Sequence, residues 1–146
     1  MAENEIGDQG VLILDIGAES PDWRQLAPGI EMRVLRTCQA TGTWAVLYRV
    51  EAGTTAAPHM HFGSADSYVI KGRMSAGGGA ENGGKTLSTG DYTYEPNNNR
   101  RHDATYFEED TLFLYFHKGP LAYLDEAGEI SSIADWNVMR GIAEGG

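Results

Sequence analysis

Short strand-like runs recur along this chain of 146 residues and limit its fold more than any other feature of the sequence. The runs are rich in Val, Tyr, Phe, Thr and Leu, which favour β-strands. Glycine-bearing connections separate many of them, as is typical of antiparallel sandwiches and barrels. We predict strands at 11–16, 31–36, 43–51, 66–74, 85–88, 91–95, 103–108, 111–117 and 121–125.

One segment near the end has the pattern of a helix instead. Ser132 is a capping residue and Asp135 follows three positions later, which is the spacing of a capping box. Apolar residues then recur at helical spacing. We therefore predict one helix at 132–140 that ends near Gly141.

Two glycine-containing segments between predicted strands favour hairpin connections. The segment 75–84 is glycine-rich and lacks the strand and helix context of a nucleotide-binding loop. The segment 125–129 has the composition of a turn, with Gly128 supplying a positive φ. We expect one all-β domain over 1–146 with a short C-terminal helix.

The charge and the single cysteine exclude several classes of function. The net charge of −10 is opposite to what phosphate binding requires, so no nucleic-acid or anionic-membrane partner is expected. The sequence contains no run of about 18 apolar residues, so no membrane span is predicted. Residues 1–10 lack the pattern of a signal peptide. Cys38 is the only cysteine, which predicts no internal disulfide and fits a cytoplasmic location.

Two of the four histidines are separated by one residue, in the stretch "APHMHFG". On a strand, His59 and His61 would face the same side roughly 7 Å apart, close enough to converge on one metal ion. The alternative is a pair of ordinary surface residues. A third histidine, His102, follows a later predicted strand, and histidines from adjacent antiparallel strands can meet inside a small barrel.

These residues follow the order of the two sequence motifs of the cupin superfamily, which the chain resembles. Positions that match the first motif are Gly53, His59, His61, Asp66 and Gly72, and positions that match the second are Gly90, Pro96 and His102. The loop "PNNNRRH" is one residue longer than usual and lacks the usual glycine. The resemblance implies a cupin double-stranded β-helix, also called a jelly-roll barrel.

Between about 43 and 138 the chain is similar to a narrower group, the acetylacetone-cleaving (β-diketone-cleaving) dioxygenases. The shared features are H-x-H-x-G, "KGRM", the glycine-rich "ENGG", Glu95 before His102, and "GPLAYLDEAGEISSI" followed by a tryptophan. The resemblance implies one Fe(II) ion per chain held by His59, His61 and His102. Zn, Ni or Mn are alternatives in the isolated protein. The resemblance also implies a homodimer or a higher homo-oligomer.

Glu95 and Asp66 are the acidic candidates near the predicted ligands. Glu95 is the candidate catalytic residue, which would orient an imidazole or hold a water molecule; the alternative is a surface carboxylate. Asp66 stands where cupins usually carry glutamate. Its shorter side chain favours a hydrogen bond or a solvated loop position over direct ligation.

His117 is the main departure from the family, which carries an aromatic side chain at this place. Phe113, Tyr115 and His117 share one face of a predicted strand. His117 is then a fourth ligand, a polar pocket wall or an outward residue. Tyr68, Phe113 and Tyr115 are candidates for the pocket wall, with packing in the core as the alternative.

Three functions remain open from the sequence. The first is a metal-dependent dioxygenase that cleaves a C–C bond of a small β-dicarbonyl such as acetylacetone. The second is a non-catalytic cupin that binds a metal or a small ligand as a sensor or binding module. The third is a metal-free structural cupin.

Overall fold

The protein is built from antiparallel strands and one short helix. The computed structural model describes residues 11–17, 19–76, 84–97 and 101–145. Every strand pair within these residues is antiparallel. The predicted all-β class with a short C-terminal helix is confirmed. The elements are β1 (Arg24–Ala27), β2 (Ile30–Thr37), β3 (Trp44–Val50), β4 (Thr55–Ala56), β5 (His59–His61), β6 (Ala65–Lys71), β7 (Arg73–Ala76), β8 (Lys85–Ser88), β9 (Tyr92–Glu95), β10 (Arg101–His102), β11 (Thr105–Phe107), β12 (Thr111–His117), β13 (Leu121–Leu124), β14 (Ile130–Ala134) and α1 (Trp136–Ala143).

The strands form three sheets that share a core. The largest sheet has the order β1-β2-β3-β12-β6-β9, and the two smaller sheets have the orders β10-β5-β13-β14 and β4-β11-β7-β8. Apolar side chains from all three meet in a buried cluster, for example Met32 and Val46 from the first, Leu121 from the second and Phe107 from the third. Because alternate residues of a strand face the same side, each sheet turns every second side chain towards this cluster.

Strand β12 runs through the middle of the largest sheet and sets the character of the interior. It pairs with β3 on one side and β6 on the other. Phe113, Tyr115 and His117 occupy its inward positions, and His117 lies opposite Trp44 in β3 and Ala65 in β6. The inner face of β12 therefore changes from apolar at Phe113 to polar at His117.

Two glycines touch at the polar end of this face. Gly63 follows His61 by two residues and Gly119 follows His117 by two. A Cβ atom added to Gly63 would lie 2.5 Å from the Cα atom of Gly119, so only glycine permits this backbone contact. Backbone hydrogen bonds of 2.8 and 2.9 Å flank it. The contact holds the segments that follow the two histidines at a fixed spacing.

Most of the predicted strands are present, and two coincide with the structure. Residues 85–88 and 111–117 are β8 and β12 without change. Gly128 has φ of 83° in the connection between β13 and β14, which confirms the predicted turn. The glycine-rich connection predicted at 75–84 joins two paired strands, β7 and β8, but its residues 77–83 lie outside the described residues.

The predicted strand at 11–16 is wrong. These residues form no strand, and the side chains of Val11 and Ile13 are 86% and 85% exposed. Within the described part of the chain no other strand pairs with this segment. Residues with high strand propensity still need a hydrogen-bonding neighbour, which propensity alone does not supply.

The single strand predicted at 66–74 is two strands in different sheets. Gly72 separates β6 from β7 with φ of 113°, a conformation that L side chains rarely adopt. A Cβ at Gly72 would also lie 2.5 Å from the carbonyl oxygen of Asp110. The glycine therefore turns the chain from the largest sheet to a smaller one.

The predicted helix begins too early. Residues 130–134 form β14, and the helix runs over Trp136–Ala143. Its N-cap is Asp135, whose side chain accepts a hydrogen bond of 2.9 Å from the backbone N–H of Val138. Pairing of β14 with β13 outweighs the capping potential of Ser132, and the helix continues through Gly141.

The outer face of β6 and β9 exposes three tyrosines. Tyr68, Tyr92 and Tyr94 are each between 45% and 62% exposed. The structure contains one chain, and the homodimer stays a prediction.

No helix among the described residues is long and apolar enough to cross a membrane.

Replacing Gly63 with alanine should destabilise the protein. The added methyl group would meet the backbone of Gly119 at 2.5 Å, and overpacking of this kind costs about 1–3 kcal/mol. Chemical denaturation of the variant should show a lower midpoint with an unchanged slope.

The matched control is Gly141→Ala in α1. A Cβ there meets nothing within 4 Å, so the variant should gain about 0.5–1 kcal/mol from helix propensity. Equal stabilities of the two variants would contradict the close contact between Gly63 and Gly119.

Candidate metal centre

Strand β5 brings three histidines together. His59 lies directly opposite His102 across the β5–β10 pair. The rings of these two residues are 5.0 Å apart and nearly parallel. His61, on the same face of β5, has its ring 4.9 Å from His59 and 5.2 Å from His102. The structure thus gathers the three residues that the sequence predicted as metal ligands.

Glu95 points into the same cluster from the largest sheet. It ends β9 and lies opposite Ala65 of β6, whose small side chain leaves room in front of it. Its Oε2 atom is 3.6 Å from Nε2 of His59 and contacts Nε2 of His61. Ligand atoms of His59, Glu95 and His102 all lie within 4.8 Å of one another.

The carboxylate of Glu95 is held in its charged form. Burial alone would raise its pKa, but contacts with His59 and His61 and a hydrogen bond with Tyr115 lower the pKa well below its usual range. Burial and the charge of Glu95 in turn raise the pKa of Tyr115. Its hydroxyl therefore keeps its proton and donates a hydrogen bond to the carboxylate. The site thus presents one negative charge among imidazoles.

The donor atoms of this cluster fit a divalent metal ion. Apart from the contacts that Oε2 of Glu95 makes with the two imidazoles, Nε2 of His59, both ring nitrogens of His61 and Oε2 of Glu95 are buried without a hydrogen-bond partner among the described residues. Buried polar atoms are rarely left unpaired, because each one costs free energy. Imidazole nitrogens and a carboxylate oxygen are common ligands of Zn²⁺ and of non-haem iron. Ligation by the three histidines, and a direct or supporting role of Glu95, stay predictions.

His117 lies inside the barrel and is 1% exposed. Its ring stacks between Trp44 at 3.8 Å and Tyr115 at 4.3 Å, and its centroid is 5.7 Å from that of His61. Burial lowers the pKa of His117 well below its usual value, and the nearby His61 acts in the same direction. The imidazole is therefore neutral. Its nitrogens, like those of His61, are not part of the group within 4.8 Å.

A cavity of about 330 Å³ opens beside the cluster, a size suited to a small ligand. Its polar wall includes His59, Glu95, His102 and His117. Most of the remaining wall is apolar and comes from β1, β2, β3 and β12 of the largest sheet and from β7, β8 and β11. These residues include Leu26, Ile30, Val50, Met74, Leu87, Phe107 and Phe113.

Two residues predicted near the pocket lie elsewhere. Ala65 and Ser67 occupy inward positions of β6 and are buried, so Asp66 and Tyr68 between and after them face outward. Asp66 accepts a hydrogen bond from the hydroxyl of Tyr92 on the outer surface. Asp66 was placed by its match to the first motif, and Tyr68 as an aromatic residue of a predicted strand. Neither argument fixes the face of the strand on which the residue lies.

The structure also brings in residues that the sequence did not single out. Tyr123 lies opposite His59 on the side away from His102, and it forms a hydrogen bond with Tyr48. Trp44 covers one face of His117. The sequence contained one relevant signal, alternation along β3 and β13, but that signal does not say which strands would become neighbours.

Residues 15–122, about three quarters of the chain, match the sequence profile of the ChrR cupin-like domain. The chain belongs to this cupin family.

Three similar proteins are acetylacetone-cleaving enzymes by name. This chain is 28% identical over 113 residues to the acetylacetone-cleaving enzyme of Acinetobacter johnsonii. The match spans 77% of this chain and 73% of that enzyme. The crystal structure of an acetylacetone dioxygenase from the same organism superposes with a TM-score of 0.82 at 22% identity, covering 94% of this chain and 95% of the other. A putative acetylacetone dioxygenase from Methylibium petroleiphilum PM1 gives 0.75 at 27% identity, covering 90% and 97%. The chain is thus a cupin that resembles these dioxygenases.

Removing any one of the three histidines should reduce bound metal. We expect the protein, purified without an affinity tag, to carry up to one divalent ion per chain, and His59→Ala, His61→Ala and His102→Ala each to lose most of it. Elemental mass spectrometry measures the content. Asp66→Ala is the control, because this acid faces outward and should leave the content unchanged. Retention of the full content by all three histidine variants would exclude this centre.

Glu95→Gln should weaken metal binding while preserving the fold. The amide keeps the size of the side chain but removes its charge, and losses of about 10–100-fold are typical when a group that supports a metal site is altered. Competition with a chelating dye measures the affinity. An unchanged affinity would mean that Glu95 is only a carboxylate beside the site.

Proposed function

We propose that this cupin is a metal-dependent dioxygenase that cleaves a C–C bond of a small β-dicarbonyl such as acetylacetone. The observation that carries the proposal is the placement of the buried ligand atoms of His59 and Glu95 at the wall of a largely apolar cavity, with His61 in contact with Glu95. Such a cavity suits a small ligand with alkyl ends and a polar centre. The similarity to acetylacetone-cleaving relatives supports the same substrate class.

The charge of the site matches the ionised form of a β-dicarbonyl. A divalent ion beside neutral imidazoles and the single carboxylate of Glu95 would keep one uncompensated positive charge. An enolate carries one negative charge and two oxygen atoms at chelating distance from each other. It should therefore bind better than a neutral ketone of the same size.

The residues around the centre position the ligand and its supports. Tyr115 donates a hydrogen bond to Glu95, which fixes the carboxylate against His59 and His61. Phe113, from the same face of β12, covers the apolar side of the cavity. These contacts hold the polar and apolar walls in one orientation, so that a ligand between them is oriented as well.

A redox-active ion such as Fe(II) would supply the coordination of the enolate oxygens and the electron transfer that dioxygen requires. In the overall reaction dioxygen oxidises the enolate and one C–C bond of the dicarbonyl breaks. Both oxygen atoms then end in the two carbonyl fragments. The chain's own contribution is to bind and orient the enolate in a largely apolar pocket.

A binding or sensor module is the second candidate. The match to the ChrR cupin-like profile supports this candidate. A shared fold does not fix the chemistry of a site, so likeness to an enzyme does not by itself imply catalysis. Four protein ligands, for example the three histidines and Glu95, would leave fewer positions for dioxygen and substrate. Under this alternative the ion or a small molecule would bind without turnover.

The Fe(II)-loaded protein should bind acetylacetone and consume dioxygen in its presence. Anaerobic titration should produce a new charge-transfer absorption, and admission of oxygen should bleach it. An oxygen electrode measures the consumption. The control ligand 2-pentanone has one carbonyl group and should give neither signal.

Confirmed iron loading without oxygen consumption across a panel of small β-dicarbonyls would contradict the enzyme proposal. Saturable binding of a dicarbonyl in that experiment would favour the binding module instead.

A further inference from the structure

His117 is a buried polar side chain for which the proposed metal centre gives no role. It is 1% exposed, and neither ring nitrogen has a hydrogen-bond partner among the described residues. It lines the cavity. A neutral imidazole has one donor and one acceptor nitrogen. Leaving both unpaired in a buried place costs free energy that a bound ligand would recover.

Only the edge of the His117 ring can meet a ligand. Trp44 covers one face at an interplanar angle of 12°, and Tyr115 covers the other at 7°. Trp44 is itself fixed by a hydrogen bond of 3.0 Å from Nε1 to the carbonyl oxygen of Gly119. The two stacking contacts hold the imidazole in one plane, so its hydrogen-bonding direction is preorganised.

The ring lies close to the proposed position of the dicarbonyl. Its centroid is 5.7 Å from that of His61. Across the largest sheet, Glu95 and His117 both pair with Ala65, one on each side. Glu95 and His117 both line the cavity. A substituent on a dicarbonyl held near Glu95 can therefore extend through the cavity towards His117.

The other groups of the wall restrict the chemistry of that substituent. The lining includes two acids, Glu95 and Asp103, and contains no lysine or arginine among the described residues. A second carboxylate on the ligand would therefore meet no cation of the chain. Tyr115 donates to Glu95, and Tyr48 and Tyr123 hydrogen-bond with each other. Thr105 and Ser132 also bring hydroxyl groups to the lining but are less buried. Outside the proposed metal centre, His117 is thus the buried polar group of the described lining that is available for an uncharged oxygen.

We propose that His117 hydrogen-bonds a hydroxyl-type oxygen on the ligand, so that the cavity selects a β-dicarbonyl with such a substituent over a purely alkyl one. This inference rests on the proposed function and specifies its substrate. A hydroxyl group suits this place because it both donates and accepts, and it can pair with either nitrogen of the neutral ring. The dicarbonyl oxygens would remain at the metal centre.

A matched pair of ligands tests the proposal without turnover. The two compounds, 1-hydroxy-2,4-pentanedione and 2,4-hexanedione, differ only by a hydroxyl in place of a methyl group. Anaerobic calorimetric titration of the Fe(II)-loaded protein measures both affinities. We expect the hydroxylated ligand to bind about tenfold tighter, as one well-made hydrogen bond to a buried group allows.

The variant His117→Phe should remove this preference. Phenylalanine keeps the stacking between Trp44 and Tyr115 but has no hydrogen-bonding edge, so the ratio of the two affinities should fall to about one. Binding of 2,4-hexanedione should be equal or tighter, and metal content should not change. His117→Gln restores a donor and an acceptor and should recover part of the preference.

Each outcome separates the two proposals. Equal affinities in the wild type, or the same preference in His117→Phe, would overturn the role of His117 and leave the β-dicarbonyl proposal standing. If neither diketone binds, the proposed function fails and this inference fails with it. The wild-type ratio and the glutamine variant decide the matter even if His117→Phe does not fold.

Discussion

The pairing of β5 with a strand on each side is the constraint on which the site depends. It places His102 on one side of His59 and Tyr123 on the other, all within a barrel interior. Apart from Glu95, the buried Nε2 atoms of His59 and His61 have no hydrogen-bond partner among the described residues, although burial normally demands one. The close contact of Gly63 with Gly119 keeps the following segments together. A positive ion is the simplest partner for this set of acceptor atoms and the charged carboxylate of Glu95.

The inner face of β12 explains why one cavity combines metal-binding and apolar walls. Phe113 lies at its apolar end, Tyr115 supports Glu95, and His117 lies at the polar end beside Trp44. A strand presents these side chains at fixed intervals, so the gradient is built into the period of two. The same geometry brings a neutral imidazole into a place where relatives are expected to carry an aromatic ring.

The clustering of the three histidines was more predictable from sequence than the exact walls of the cavity. Spacing indicated His59, His61 and His102 because motif order and the i, i+2 rule are local. The direction of Asp66 was not predictable, since it depends on the inward placement of Ala65 and Ser67 in a sheet formed by distant strands. Propensity failed for 11–16 and for the first residues of the predicted helix for the same reason. In both places the presence or absence of a strand partner decided the structure.

The most direct test of the central claim is the position of the bound ion in a crystal of the metal-loaded protein, measured by anomalous scattering at the absorption edge of the metal. We predict one strong peak per chain at the polar wall of the cavity, about 2.0–2.2 Å from imidazole nitrogens of the histidines that β5 and β10 bring together. A crystal that shows full metal occupancy only at a surface position, with His59 and His102 unliganded, would contradict the account.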